Sequence, residues 1–97
     1  MSTCKFIKQF IDSESFKSHR LKIFLKDGTS FSAEKYFDTE SQKAFSELLG
    51  EKEELEIPKD RLVLFSTLNY QKKFHFVTDE DIDRYTIEHD RYKNSRW

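Results

Sequence analysis

Apolar residues near the start of the chain recur with the period of a helix. Phe6, Ile7, Phe10 and Ile11 fall on one face when residues 3–12 are helical. Lysine, glutamine and aspartate occupy the other face. This stretch therefore predicts an amphipathic N-terminal helix.

The pattern then changes to the alternation of a β-hairpin, over residues 20–37. A two-residue Asp-Gly loop would set apolar residues against serines. A three-residue loop that ends in glycine, with a bulge, pairs Ile23 with Phe31 and Leu21 with Ala33. Because a slip of one residue moves every side chain to the other face, the sequence predicts the bulged register.

A second helix is predicted over residues 40–49. Thr39 and Gln42 have the spacing of a capping box, and Gly50 is the expected stop. The acidic stretch that follows leads into a short predicted strand near 54–57, which ends at a proline.

Two more strands are predicted, at residues 61–68 and 72–77. The first is an almost continuous apolar run, which is typical of a central strand covered on both faces. The two strands join through the Asn69-Tyr70 loop. The predicted cross-strand pairs are Phe65 with Phe74 and Val63 with Phe76.

The last element is predicted to be a helix that starts at Thr78. Three acidic residues, 79–81, fill its first turn, where carboxylates favour the positive end of a helix. Apolar and aromatic residues follow at helical spacing: Ile82, Tyr85, His89 and Tyr92.

These elements together predict an α+β fold in one small domain that spans residues 1–97. We expect one antiparallel sheet of four to five strands, packed by N-terminal, middle and C-terminal helices. The chain is polar, with 36% hydrophobic and 36% charged residues, but ten phenylalanines and four tyrosines supply large rings for a core.

Candidate chemistry is sparse. Cys4 is the one cysteine, so an intramolecular disulfide is excluded, and it has no histidine neighbour in sequence to activate it. His19, His75 and His89 lie far apart and lack a metal-ligand spacing. Two glycines cannot build a phosphate-binding loop. We therefore expect no enzymatic activity, no cofactor and no metal.

Charge is arranged in blocks. Residues 38–60 hold eight acidic and three basic residues, and residues 79–90 hold six and one. If the blocks fold together, they form an acidic face suited to a basic protein surface. The candidate partner-binding residues are Glu47, Glu51, Glu53, Glu54, Glu56, Asp79, Glu80, Asp81 and Asp83.

An alternative is direct contact with nucleic acid through a basic, aromatic hairpin. Residues 61–78 hold three basic residues and no acidic one. The candidate nucleic-acid-binding residues are Arg61, Tyr70, Lys72 and Lys73. A structural or assembly subunit of a larger complex is a third possibility.

The acidic face leads to the first functional hypothesis, a small protein-binding inhibitor. Nucleic-acid-binding proteins and nucleases have basic grooves that an acidic domain could cover. The Phe-, Lys-, Ile- and Glu-rich composition is typical of an AT-rich genome, so we expect an origin in a phage or another mobile element. The function would resemble that of anti-CRISPR or immunity proteins, in the cytoplasm of a bacterial host, without a membrane partner.

Overall fold

The computed structural model describes residues 2–50 and 56–90. Within these ranges the chain forms two α-helices, six strands and three single 3-10 turns. The helices are α1 (Thr3–Ile11) and α2 (Gln42–Leu49). The strands are β1 (His19–Leu25), β2 (Ser30–Ala33), β3 (Lys35–Phe37), β4 (Leu62–Leu68), β5 (Gln71–Val77) and β6 (Ile82–His89). The 3-10 turns lie at Glu14–Lys17, Thr39–Ser41 and Asp79–Asp81.

The N-terminal helix is confirmed. The hydroxyl of Ser2 caps α1 by accepting a hydrogen bond from the backbone N–H of Lys5 (3.2 Å). Ile7 is fully buried on the apolar face of this helix. The helix ends where Asp12 donates its backbone N–H to Lys8 O (3.1 Å).

The bulged register of the first hairpin is also confirmed. Strand β1 pairs antiparallel with β2, with Leu21 opposite Ala33 and Ile23 opposite Phe31. The three-residue loop ends at Gly28, whose φ of 95° lies in the left-handed region that glycine adopts without a steric penalty. All four paired side chains are buried. A register shifted by one residue would break this common burial, which explains why the bulged register is adopted.

The prediction of one sheet is wrong, because the structure has two three-stranded antiparallel sheets. Their strand orders are β2-β1-β6 and β3-β4-β5. The chain changes sheet at Glu34: β2 pairs with β1 up to Ala33, and the backbone N–H of Glu34 then donates to Phe65 O (2.8 Å). A single extended stretch thus serves both sheets, as strands that switch sheets do.

The predicted C-terminal helix is also wrong. The chain does turn helical after Thr78, where Thr78 and Asp81 form a capping box, but the helical conformation ends after the 3-10 turn at Asp79–Asp81. The chain then becomes β6, which pairs with β1 from Ile82 to His89 with one bulge at Asp83. The β-branched and aromatic residues of β6 suit a strand, and β1 offers it a row of unpaired backbone groups. Tyr92, which the helix prediction included, lies outside the described residues.

Helix α2 starts at Gln42, two residues later than predicted, because the 3-10 turn at Thr39–Ser41 precedes it. Asp38 and Ser41 form the capping box, in place of Thr39 and Gln42. Gln42 instead accepts the backbone N–H of Ile57 on its side-chain oxygen (2.7 Å). Gly50 ends the helix with φ 96°, as predicted. Of the predicted strand near 54–57, residues 56 and 57 are not in a strand, and the rest lies outside the described residues.

Strand β4 is the centre of the molecule, and its predicted coverage on both faces is confirmed from Leu62 to Ser66, while Thr67 and Leu68 are exposed. The predicted pairs of Phe65 with Phe74 and Val63 with Phe76 are present between β4 and β5. Alternate residues of β4 enter two separate core clusters. The first cluster is Ile7, Leu21, Ile23, Phe31, Ala33, Leu62, Leu64, Val77 and Ile82. The second cluster is Phe37, Phe45, Ile57 and Val63.

The two clusters show how the sheets and helices are layered. The first sheet and α1 pack against one face of the second sheet, and α2 packs against the other face through Phe45. None of the helices in the described residues has the length and apolar character needed to cross a membrane.

Candidate functional site

The β4–β5 turn has an unusual backbone for its sequence. Asn69 and Tyr70 form the two-residue loop and have φ values of 52° and 66°. Positive φ at both central residues is the signature of a type I′ turn, which favours Asn or Asp followed by glycine. Asn69 fits this rule. Tyr70 does not, because its Cβ approaches the neighbouring carbonyl in the left-handed region.

The tip of this hairpin projects from the rest of the fold. All seven residues from 67 to 73, which we call the hairpin tip, are exposed. Leu68 has 61% of its surface exposed, and Tyr70 has 101%. The strain at Tyr70 is therefore not offset by burial of its ring. Backbone strain that the fold does not need is a reason to examine a residue for function.

The lysines of the hairpin tip lie on both faces of β5. Lys72 is opposite Thr67 and Lys73 is opposite Ser66 in the ladder, so the two side chains project to opposite sides. Lys72 shares its face with Lys35 of β3. Lys35 is aligned across the sheet with Phe74, which lies two residues from Lys72 along β5. All three lysines are exposed, and no acidic residue lies between positions 61 and 78.

Two half-buried rings continue the surface from the hairpin tip toward the core. Phe65 and Phe74 are directly opposite each other, with ring centroids 5.4 Å apart, on the face that carries Lys35 and Lys72. Their inner edges pack against the second cluster, as the alternation predicted. The basic hairpin tip is thus anchored on an aromatic base that holds its orientation.

Arg61 is not part of the hairpin tip. It precedes β4, at the end of the strand opposite the turn, about 25 Å from Asn69 along an extended chain. There it forms an ion pair with Asp81, with Nη1 and Oδ2 3.3 Å apart. Of the four predicted nucleic-acid-binding residues, the structure brings Tyr70, Lys72 and Lys73 together and separates Arg61 from them.

Two of the predicted acidic contact residues stabilise the fold. Asp79 accepts hydrogen bonds from the backbone N–H of Cys4 (2.7 Å) and from the Ser2 hydroxyl (2.9 Å). The bond from Cys4 is the main reason that the pKa of Asp79 is lowered. Asp81 accepts from Thr78 and pairs with Arg61. Both carboxylates thus have partners within the chain.

The other predicted acidic residues fall into two groups. Glu47 and Glu56 are exposed beside the second cluster, where the bond between Gln42 and Ile57 holds their segments together. Glu80 and Asp83 are exposed on the segment that packs into the first cluster. Glu51, Glu53 and Glu54 lie outside the described residues.

The candidate chemical groups are held in structural roles. Burial, followed by the hydrogen bond with Asp79, raises the pKa of Cys4 to about 12, which keeps its thiol protonated near neutral pH. His75 stacks on Phe31 with ring centroids 3.7 Å apart, and its Nε2 lies 2.9 Å from the hydroxyl of Ser66. Within residues 2–50 and 56–90, no three His, Cys, Asp or Glu side chains gather into a metal site.

A polar cleft of about 460 Å³ lies between the N-terminus of α1 and the segment before β4. Two of its four acids are already paired: Asp38 contacts Lys8 (2.8 Å), and Asp79 caps the helix. For Asp38, burial raises the pKa, but the hydrogen bond and charge of Lys8 outweigh it and lower the pKa overall. These pairings leave the hairpin tip as the stronger candidate site.

Sequence reasoning found the position of this site but missed its most informative property. The Asn69-Tyr70 loop and its flanking lysines were predicted, while the left-handed backbone of Tyr70 and the contribution of Lys35 were not. The signal was present: a loop of two residues between paired strands requires a primed turn.

The chain was compared with known proteins at three levels. No protein-family model matches it, no curated protein sequence matches it, and no solved structure matches it.

Proposed function

We propose that this chain is a non-enzymatic binding module whose hairpin tip contacts single-stranded nucleic acid. The observation that carries the proposal is Tyr70, a fully exposed ring on a left-handed backbone at the end of a basic hairpin. A left-handed conformation costs a non-glycine residue roughly 1–2 kcal/mol. Contact of the ring with a ligand is a physical reason for that cost.

Base stacking is the contact that such a ring suits. The flat face of a tyrosine accepts any base, and each stacked base contributes roughly 1–3 kcal/mol. A base must be unpaired for its face to be reached, which favours a single strand over a duplex. Among the described residues no ring covers Tyr70, whose whole surface is exposed.

The lysines supply the second part of the proposed contact. Lys72 and Lys73 lie on the two faces of the strand that leaves the turn, and Lys35 extends the positive charge along one face. Phosphates on either side of a stacked base could therefore meet an ammonium group. Each phosphate neutralised on a single strand makes the slope of log K against log salt more negative by about 0.7.

The proposal is tested by fluorescence anisotropy with labelled, unstructured DNA and RNA oligonucleotides. Tyr70→Phe retains the ring and is expected to bind like the wild type. Tyr70→Asn removes the ring but tolerates the left-handed backbone, and we expect its affinity to fall by about 5- to 100-fold. Equal binding by Tyr70→Asn and the wild type, or no binding by either, would contradict the proposal.

The lysines have a matched control in the other hairpin. Lys72→Gln and Lys73→Gln are each expected to make the slope of log K against log salt less negative by about 0.7. Lys26→Gln removes an equally exposed charge from the loop of the β1–β2 hairpin, and we expect it to leave the slope unchanged. A binding partner that is an acidic protein would instead appear as capture from a nuclease-treated lysate without oligonucleotide binding.

A second candidate function is the acidic inhibitor of a nucleic-acid-handling protein or nuclease, acting in the cytoplasm of a bacterial host of a phage or other mobile element. The observation that supports it is the set of exposed carboxylates that form no ion pair within the described residues: Glu47, Glu56, Glu80 and Asp83. Reversing Glu47 and Glu56 to lysine is expected to abolish capture of a basic protein while leaving the melting temperature unchanged. Unchanged capture would remove this candidate.

A further inference from the structure

Strand β6 has one open edge. It is the outermost strand of its sheet, and its neighbour among the described strands is β1 alone. The backbone N–H of Asp90 donates to Ser18 O (2.9 Å), which fixes which residues of β6 bond to β1. Hydrogen-bonded pairs alternate in an antiparallel ladder, so the even-numbered residues direct their backbone groups to β1. The odd-numbered residues of the regular ladder, Tyr85, Ile87 and His89, direct theirs to the open edge, whereas Asp83 lies in a bulge between the pairs made by Ile82 and Arg84.

The side chains along this edge are unusual for a strand that must avoid pairing. Tyr85 and Ile87 lie on the inner face, opposite Ile23 and Leu21 of β1, yet they are 37% and 39% exposed. Strand edges are commonly protected by repeated lysines, prolines or bulges. Here a bulge at Asp83 interrupts the start of β6, but the regular part from Arg84 to His89 has neither proline nor lysine, and its charges have both signs.

We infer that the chain forms a two-fold symmetric dimer in which β6 pairs antiparallel with β6 of a second copy, with Thr86 on the symmetry axis. This inference goes beyond the proposed function and does not depend on it. The occupant of the edge is a second copy because the sequence of β6 complements itself in this register. The resulting pairs within the regular part of the strand are Arg84 with Glu88 and Tyr85 with Ile87.

The backbone restricts the register to a few possibilities. Since only odd-numbered residues offer hydrogen bonds at the edge, the axis must pass through a residue and not between two. An axis at Arg84 or Glu88 sets like charges against each other, which is destabilising. An axis at Tyr85 sets Arg84 against Thr86. An axis at Ile87 sets Thr86 against Glu88, and it sets Arg84 against Asp90, whose carboxylate already pairs with Arg20 (2.9 Å). The axis at Thr86 matches every pair in charge or in apolar character.

The hydroxyl of Thr86 is an independent observation that points to the same axis. Its oxygen is buried and has no hydrogen-bond partner among the described residues. A buried polar atom without a partner is destabilising. In the dimer, Thr86 faces its own copy as a non-hydrogen-bonded pair, the class in which side chains come closest. A rotation about χ1 turns each hydroxyl from its buried position to the edge, where the two cross-strand hydroxyls donate to and accept from each other.

The apolar pair completes the interface. Tyr85 stacks on Phe6 of α1, with ring centroids 5.1 Å apart, so one face of its ring is already fixed by the fold. The pairing places Ile87 of the second copy opposite this ring on the same face of the extended sheet. Aromatic rings paired with β-branched residues are among the favourable cross-strand pairs.

A charge exchange tests both the dimer and its register in the full chain. In homodimers, Arg84→Glu sets two acids against each other at both ends of the interface, and Glu88→Arg sets two cations. We expect each variant to weaken self-association by about tenfold. An equal mixture of the two variants restores both opposite-charge pairs, so it is expected to form a heterodimer about as strong as the wild-type dimer.

Sedimentation velocity from micromolar to millimolar protein gives the readout, with circular dichroism to confirm that each variant is folded. Arg84→Gln and Glu88→Gln are the neutral controls, with intermediate affinity expected. A wild-type chain that is monomeric throughout overturns the inference, and the edge would then belong to the residues after Asp90 or to another protein. A dimer that ignores the charges, or a mixture that does not recover, overturns the β6 register.

Discussion

At the scale of single residues, Tyr70 combines a local cost with full exposure. Its φ of 66° belongs to the region in which glycine is favoured, and its ring contacts solvent over its whole surface. Natural proteins retain strained residues mainly where the strain contributes to function. The strain can be measured separately from any ligand.

Tyr70→Gly is expected to stabilise the fold. Glycine removes the left-handed penalty, and the entropy that it adds to the unfolded chain offsets part of the gain, leaving about 0.5–1 kcal/mol. For a domain of this size the melting temperature should rise by a few degrees. Gln71→Gly, one residue later in regular strand, is the matched control and should lower the stability. A lower melting temperature for Tyr70→Gly would contradict the assignment of strain.

His75 makes the stability depend on pH. Burial, with a smaller effect from Lys73, lowers its pKa below the ordinary value of 6.5, although Asp27 acts in the opposite direction. The folded state therefore binds the proton less tightly than the unfolded chain does. Its contribution to the free energy of unfolding is complete above about pH 6.5 and is lost as the pH falls below that value.

We expect urea unfolding of the wild type to show this loss between about pH 7 and pH 5.5. The double variant Ser66→Ala, His75→Phe keeps the ring that stacks on Phe31 and removes both polar partners. Its free energy of unfolding should be flatter over the same range. The same slope in both proteins would assign the pH dependence to other groups.

At the scale of elements, the sequence was informative where the deciding contacts are close along the chain. The β1–β2 register was predictable because a one-residue slip would have exposed Ile23 and Leu21, and the loop of three residues is local. The β4–β5 pairs were predictable for the same reason. The capping box at Thr78 was predictable too, since it involves four consecutive residues.

The helix after that cap was not predictable, because its replacement depends on a strand far away in sequence. Residues 82–89 contain apolar positions compatible with both periods, and the open edge of β1 decides between them. The division into two sheets has a similar origin. The strand pairs with β1 up to Ala33, and the backbone N–H of Glu34 then donates to Phe65 O of β4. Glu34 and Phe65 are more than thirty positions apart in sequence.

At the scale of the whole molecule, β4 separates two packed cores that share one strand. Ile23 belongs to the first cluster, and Phe45 and Phe37 belong to the second. Energetic coupling between substitutions needs contact or a shared cavity. The second sheet stands between the clusters, so effects should cross it weakly.

Ile23→Val and Phe45→Leu are therefore expected to be additive within about 0.5 kcal/mol in the free energy of unfolding. Phe37→Leu with Phe45→Leu is the matched pair inside one cluster, where the ring centroids are 5.4 Å apart. We expect this pair to deviate from additivity by more than about 0.5 kcal/mol. Denaturant titrations of the three single and two double variants decide the point. Strong coupling between Ile23 and Phe45 would mean that the two clusters act as one core.

The separation of the two sheets has a consequence for valency. The β4–β5 hairpin belongs to one sheet and the open edge of β6 belongs to the other. A dimer joined through β6 would therefore leave both hairpin tips uncovered and would present two Tyr70 rings to one strand of nucleic acid. Two weak contacts on the same strand bind with an avidity about 10²- to 10⁴-fold above either contact when the geometry permits both. A short oligonucleotide that reaches one ring would then bind far less tightly than a long one that reaches two.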